Sequence, residues 1–189
     1  MRLSLAAILA VSLTLLGCGN SVDSPTSTKP TPLASVDTAT MTLARGDFCK
    51  LVTPSAIKAA AGSPATLLSW TNGGRLDIGE DQEVSQEFGC RWTNGNALAS
   101  AWVFARAMDS AEAEEALAHT PKGCEQAEGD TFGSPSARWT CRVDGGAGVR
   151  LAGLVGDTVL TCEVHGEVAD LDQRASNWCS SVLSALATS

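Results

Sequence analysis

The stretch "EFGCRWTNGNALASAWVFARA", residues 87–107, decides the fold class. Phe88, Cys90 and Trp92 recur with a period of two, which places them on one face of a strand. Asn94-Gly95 follows, the pair best suited to the positive φ angles of a tight hairpin turn. The return strand puts Leu98, Trp102 and Phe104 on one side and a row of alanines on the other. Such a row lets a helix approach closely. Asp109 and Glu112 then form a capping box for a helix running to about His119, which Pro121 stops.

Working outward, "SARWTCRVDGGAGVRLAGLVGDTVLTCEVHGE", residues 136–167, reads as three more strands. Ala137, Trp139, Cys141 and Val143 alternate inward, and Arg138, Thr140 and Arg142 outward. Asp144-Gly145 and Gly156-Asp157 mark the turns. A last helix is expected behind a capping box at Asp170 and Gln173, with Leu171, Ala175, Trp178, Val182 and Leu186 at helical spacing. Before the hairpin, "CKLVTPSAIKAAAG" predicts a short helix with Thr53 as N-cap, Pro54 at the first position and Gly62 as the stop. Residues 63–85 read as irregular, with a turn at Asn72-Gly73-Gly74 and room for a short strand at 65–70. Cys90-Arg91-Trp92 before Asn94-Gly95 is echoed by Cys141-Arg142-Val143 before Asp144-Gly145, a faint sign of a duplicated hairpin–helix unit. The expected fold is α+β: an antiparallel sheet of about five strands with helices packed on one face.

The amino terminus sets the compartment. Arg2 precedes an apolar run from Leu3 to Leu16, the length of a signal-peptide core and short of the roughly 20 residues a bilayer span needs. Leu15-Leu16-Gly17-Cys18 resembles the bacterial lipobox, which implies cleavage before Cys18 and a lipid on its sulfur. Residues 1–17 are then a lipoprotein signal peptide. Residues 18–44, rich in Ser, Thr and Pro, read as lipid anchor and flexible tether, reaching on the order of 30 Å as a random coil. Residues 45–189 make a single domain. The expected location is the extracytoplasmic face of the cell membrane, with the bilayer as a partner through acylated Cys18.

Cysteine parity agrees with this. The chain has seven cysteines, and a lipid on Cys18 leaves six: Cys49, Cys90, Cys124, Cys141, Cys162 and Cys179. An even number in an exported domain points to three disulfides. Six cysteines allow about 15 connectivities. The element order favours the sequential set: Cys49–Cys90, Cys124–Cys141 and Cys162–Cys179. No Cys-x-x-Cys pair or finger-like histidine spacing points to a metal.

Composition narrows the function classes. The net charge is −8, and loss of Arg2 with the signal peptide deepens it by one, so no basic surface recommends nucleic acid as a partner. No nucleophile elbow, phosphate loop or metalloprotease motif is present. The glycines of "GGAGVRLAG" read as hairpin and strand, and no cofactor is expected. His165, near Glu163 and Glu167, reads as a solvated strand end, although a buried His–Glu pair would suit acid–base work. His119 complements a helix C-terminus. The acidic run holding Glu80, Asp81 and Glu83 reads as a solvated loop. Arg138, Arg142 and Arg150 could converge on an anion, although pairing with surface carboxylates is the first expectation. Trp70 is the aromatic best placed for a binding surface, although packing as a lid over the core is the first expectation there.

The lipobox, the tether, "DFCKLVTPSAIKAAAG", "GCRWTNG" and the late "WCSSVLSAL" together resemble small actinobacterial surface lipoproteins of a domain-of-unknown-function family. The shared start is Asp47-Phe48-Cys49-Lys50-Leu51-Val52-Thr53-Pro54, followed by Cys90-Arg91-Trp92. That resemblance implies a cell-surface location and an antiparallel α+β fold, and it brings no catalytic residues. The function expected is a ligand- or partner-binding module of the envelope. The rivals are an accessory subunit of an envelope complex and an enzyme of an unrecognised kind.

Overall fold

The computed structural model describes residues 31–78, 81–143, 146–167 and 170–188. Cys18, the signal peptide, Glu80 and the Asp144-Gly145 turn lie outside them. Strands β1 (Thr42–Leu43), β2 (Thr66–Trp70), β3 (Arg75–Ile78), β4 (Asp81–Val84), β5 (Glu87–Asn94) and β6 (Ala97–Phe104) come first in the chain. They are followed by β7 (Cys124–Gln126), β8 (Ser136–Val143), β9 (Gly146–Val155), β10 (Thr158–His165) and β11 (Ala187–Thr188). The helices are α1 (Pro54–Ala61), α2 (Ser110–Ala118) and α3 (Leu171–Leu186).

Seven strands form one sheet in the order β2-β5-β6-β10-β9-β8-β7, and every pairing is antiparallel. The sheet is therefore larger than the five strands expected. β2 formed where the sequence left room for it, and β7 is a three-residue edge. Arg75–Ile78 and Asp81–Val84 pair as a separate β3–β4 hairpin, so Asp81 and Glu83 of the acidic run lie on paired backbone rather than in an open loop. The helix signals are met at α1, where Thr53 Oγ1 accepts from the Ala56 N–H, and at α2, where both halves of the Asp109–Glu112 box are formed. At α3 the expected box is absent. Asp170 adopts a left-handed backbone (φ 57°), which turns its side chain away from the first-turn N–H groups.

Cross-strand register sorts the sheet into two faces. Phe88, Cys90 and Trp92 of β5 align with Val103, Ala101 and Ala99 of β6, and these with Leu160, Cys162 and Val164 of β10. This is the core face. The small alanines of β6 admit α1 and α3, whose Ala60, Ala61, Trp178, Val182 and Leu183 are buried there. Trp178 stands edge-on to Trp92, with ring centroids 5.3 Å apart, and its indole N–H donates to the Ser100 carbonyl at 2.8 Å.

The opposite face was expected to lack helices, and here the expectation is corrected. α2 covers one half of it: Ala113 and Leu117 pack with Met108, Leu154, Val159, Ala137, Trp139 and Ala152. The inward set expected for β8 thus packs under α2, while Arg138 points toward α3. The two hairpin–helix segments end with their helices on opposite faces, so the sequence echo does not extend to helix placement. The half of this face that lies over β2, β5 and β6 carries no helix among the described residues.

The amino-terminal part of the domain also differs from expectation. Leu33, in a 3-10 turn at Leu33–Ser35, and Leu43 are each 3% exposed, and β1 pairs with β11. Ser180 Oγ donates to the Thr31 carbonyl at 2.6 Å. Residues 31–44, assigned above to the tether, are docked on α3 because their two leucines complete the core.

Two cysteine pairs of the sequential set are bonded: Cys49–Cys90 and Cys124–Cys141. The third is corrected. Cys162 on β10 and Cys179 on α3 face each other as buried free thiols. Burial, and then the neighbouring Cys162 thiol, push the Cys179 thiol well above its ordinary value. That suppresses the thiolate that disulfide exchange requires.

Candidate functional site

The uncovered half-face carries a strip of polar and aromatic side chains. Register builds it. Arg91, Ser100, Glu163 and Arg150 form one row across β5, β6, β10 and β9, and Trp70, Gly89 and Trp102 form the next across β2, β5 and β6. Glu163 is the hub, 5% exposed. Its Oε2 accepts from Arg150 Nη2 at 2.8 Å and Nε at 3.2 Å, and its Oε1 meets His165 Nε2. The Arg150 guanidinium also lies over the Trp102 ring, 5.2 Å from its centroid. Burial pushes the Glu163 carboxyl up, but His165 and Arg150 together outweigh it and hold it below the usual range. Glu163 is therefore a charged anchor, consumed by two partners.

Two glycines make room for the rings. His165 sits on Gly148 and Trp70 on Gly89, each where a Cβ would stand. The Trp70 indole N–H faces the Glu87 carboxyl without meeting hydrogen-bond geometry. Burial pushes Glu87 up to about 7, against the smaller opposing pull of Trp70 and Arg150. A carboxyl raised in the fold binds more protons folded than unfolded between its ordinary value and 7, so its contribution lowers stability as pH rises through that window. E87Q is therefore expected to match the wild type near pH 4 and to exceed it at pH 8. The gain is on the order of 1–2 kcal/mol after allowance for partial exposure, read from urea unfolding at the two pH values.

Buried polar atoms without a partner concentrate here. Among the described residues there are four: Trp70 Nε1, Ser100 Oγ, His165 Nδ1 and Arg138 Nε. The first three lie on this one face by register. Beside them is a pocket of about 490 Å³ lined by Arg91, Thr93, Leu98, Arg150, Glu163 and His165, with Glu167 at its rim. Leaving a buried donor or acceptor unpaired costs about 1–3 kcal/mol, and of these three residues only His165 lines the pocket.

No family model, no curated protein and no solved structure matches this chain. The geometry alone carries the reading.

The sequence-predicted site residues separate. Arg138 is buried under α3, where its Nη2 pairs with Asp172 at 2.5 Å. Arg142 is exposed on that same face of the sheet, by its register with Ala147. Arg150 projects from the other face, so the three arginines do not converge; alternate residues of a strand point to opposite sides. Trp70 lies across Gly89 on the open face, with its indole N–H buried. His165 is 8% exposed, which corrects the solvated reading. His119 is exposed at the end of α2. Sequence reasoning missed Arg91, Ser100, Glu87 and Trp102 as site residues. The signal was only partly available in the hairpin: the two-residue turn falls at Gly95-Asn96, one position later than Asn94-Gly95 predicts. This register sets Arg91 opposite Ser100, where the predicted turn would have set it opposite Leu98. Among the described residues no cluster of metal-ligating side chains occurs and no helix is long and apolar enough to cross a membrane.

Proposed function

We propose that this chain is an extracytoplasmic lipoprotein, anchored through acylated Cys18, whose open sheet face binds a small ligand. The observation that carries the binding reading is a pocket in which Arg91, exposed and without an ion-pair partner among the described residues, stands with the Arg150–Glu163–His165 network. The anchor reading rests on the lipobox pattern ending at Cys18.

The buried His165–Glu163 pair is also what acid–base chemistry would use, and it favours an enzyme as the second reading. Binding remains preferred because the imidazole nitrogen left over, Nδ1, is buried and lies against Gly148. A proton acceptor needs its substrate within hydrogen-bond reach.

Two measurements test the proposal. Cys18→Ser is expected to move the protein from the membrane fraction to the soluble one while circular dichroism of the domain stays unchanged. Retention of the variant in the membrane would remove the anchor. Native mass spectrometry of protein released gently from its own membranes is expected to show a reproducible small-molecule adduct. A bare mass across several growth conditions would count against binding and turn attention to protein partners found by crosslinking.

A further inference from the structure

We infer that the pocket beside the Arg150–Glu163–His165 network takes a small monocarboxylate with a flat apolar body, held by Arg91 and Arg150. The inference rests on the binding reading above and names the ligand class.

The donors decide the charge of the ligand. Glu163 spends both oxygens on Arg150 and His165, so its negative charge is met inside the network. Arg150 uses Nε and Nη2 on Glu163, and its Nη1 makes no hydrogen bond among the described residues. Arg91 is exposed and has no ion-pair partner among them. Both arginines line the pocket. An unpaired guanidinium beside a half-used one, in a chain of net charge −8, is a local exception to the field of the molecule. The planar fork of a guanidinium matches a carboxylate with two parallel N–H···O bonds.

The surroundings set the rest of the ligand. Leu98 supplies apolar surface in the pocket, and the partly exposed Trp102 ring lies against the Arg150 guanidinium next to it. Glu167 is exposed at the rim, and the overall negative charge adds to its repulsion of a polyanion. A single carboxylate on a flat apolar body satisfies all of these. A dianionic phosphate does not.

The test is calorimetric titration of the full-length, detergent-purified protein with benzoate, benzamide and inorganic phosphate. Benzoate is expected to bind saturably at one site, at least tenfold tighter than either benzamide or phosphate. Arg91→Gln, an exposed change that should leave thermal unfolding where it was, is expected to weaken benzoate at least tenfold. Arg150→Gln should do the same, with unfolding measured alongside because it also releases Glu163. Equal affinity for benzoate and benzamide, abolished by filling the pocket with Leu98→Trp, would overturn the carboxylate and leave the binding face standing. Phosphate binding tighter than benzoate would reassign the site to a free inorganic anion. Benzoate binding unchanged by Arg91→Gln would overturn the assignment of residues. Failure of all three probes, together with a bare native mass, would overturn the inference and the binding reading at once.

Discussion

Replacing Trp178 with alanine is expected to destabilise the domain by about 3–5 kcal/mol, the range for deleting a large buried aromatic side chain. Three losses combine. The side chain is 1% exposed in the centre of α3, so a cavity opens between α3 and the sheet. The edge-on contact with Trp92 disappears. The Ser100 carbonyl loses the indole N–H as a donor. Trp178→Phe separates the terms, since it keeps an aromatic ring and loses the donor. Urea unfolding should place it between wild type and Trp178→Ala. An effect below about 1 kcal/mol for the alanine variant would mean that α3 can collapse onto the sheet, and the packing described above would need revision. Since Ser100 also belongs to the open-face row, the variant carries a perturbation from the core to the site.

Removing the Cys49–Cys90 bridge is the second large effect. The bond ties the segment before α1 to the middle of β5 across a sequence separation of 41. Restriction of the unfolded chain by a loop of that size is worth roughly 4 kcal/mol in the chain-entropy description. Cys49→Ala with Cys90→Ala is expected to lose most of that, plus the packing of two buried sulfurs. The same double change at Cys124 and Cys141 should cost less, because the loop spans 17 positions and lies at an edge of the sheet. Comparison of the two double variants by chemical unfolding tests the order. A larger loss at Cys124–Cys141 would contradict it.

What the sequence disclosed depended on how local the signal was. Asn94-Gly95 and the period-two runs around it specified a hairpin, although its turn falls one residue later at Gly95-Asn96 and the register shifts with it. The caps at Thr53 and Asp109 specified two helix starts. Those decisions are made within a few residues. The third cap failed at Asp170, where the chain leaving β10 must turn sharply and the backbone conformation is set by that turn. Which face each helix covers is not local either. β8 presents apolar residues on one side and Arg138 on the other, and alternation alone cannot say that α2 claims the apolar side. The candidate site was half legible. Glu163 and His165 were visible as a pair, but their burial follows from β6 and β9 flanking them, and β6 is far away in the chain. The arginines were grouped by spacing, and pleating sent them to opposite sides.

The pairing of β1 with β11 brings the first and last described segments of the domain side by side, with Thr42 opposite Thr188. In topological terms the folded chain is nearly a closed ring. A circular permutant could therefore join residue 188 to residue 31 through a short linker and open new ends at the exposed Gly95-Asn96 turn, where no core side chain is severed. Such a rearranged chain would keep every strand neighbour of the large sheet while placing its new ends at the rim of the pocket.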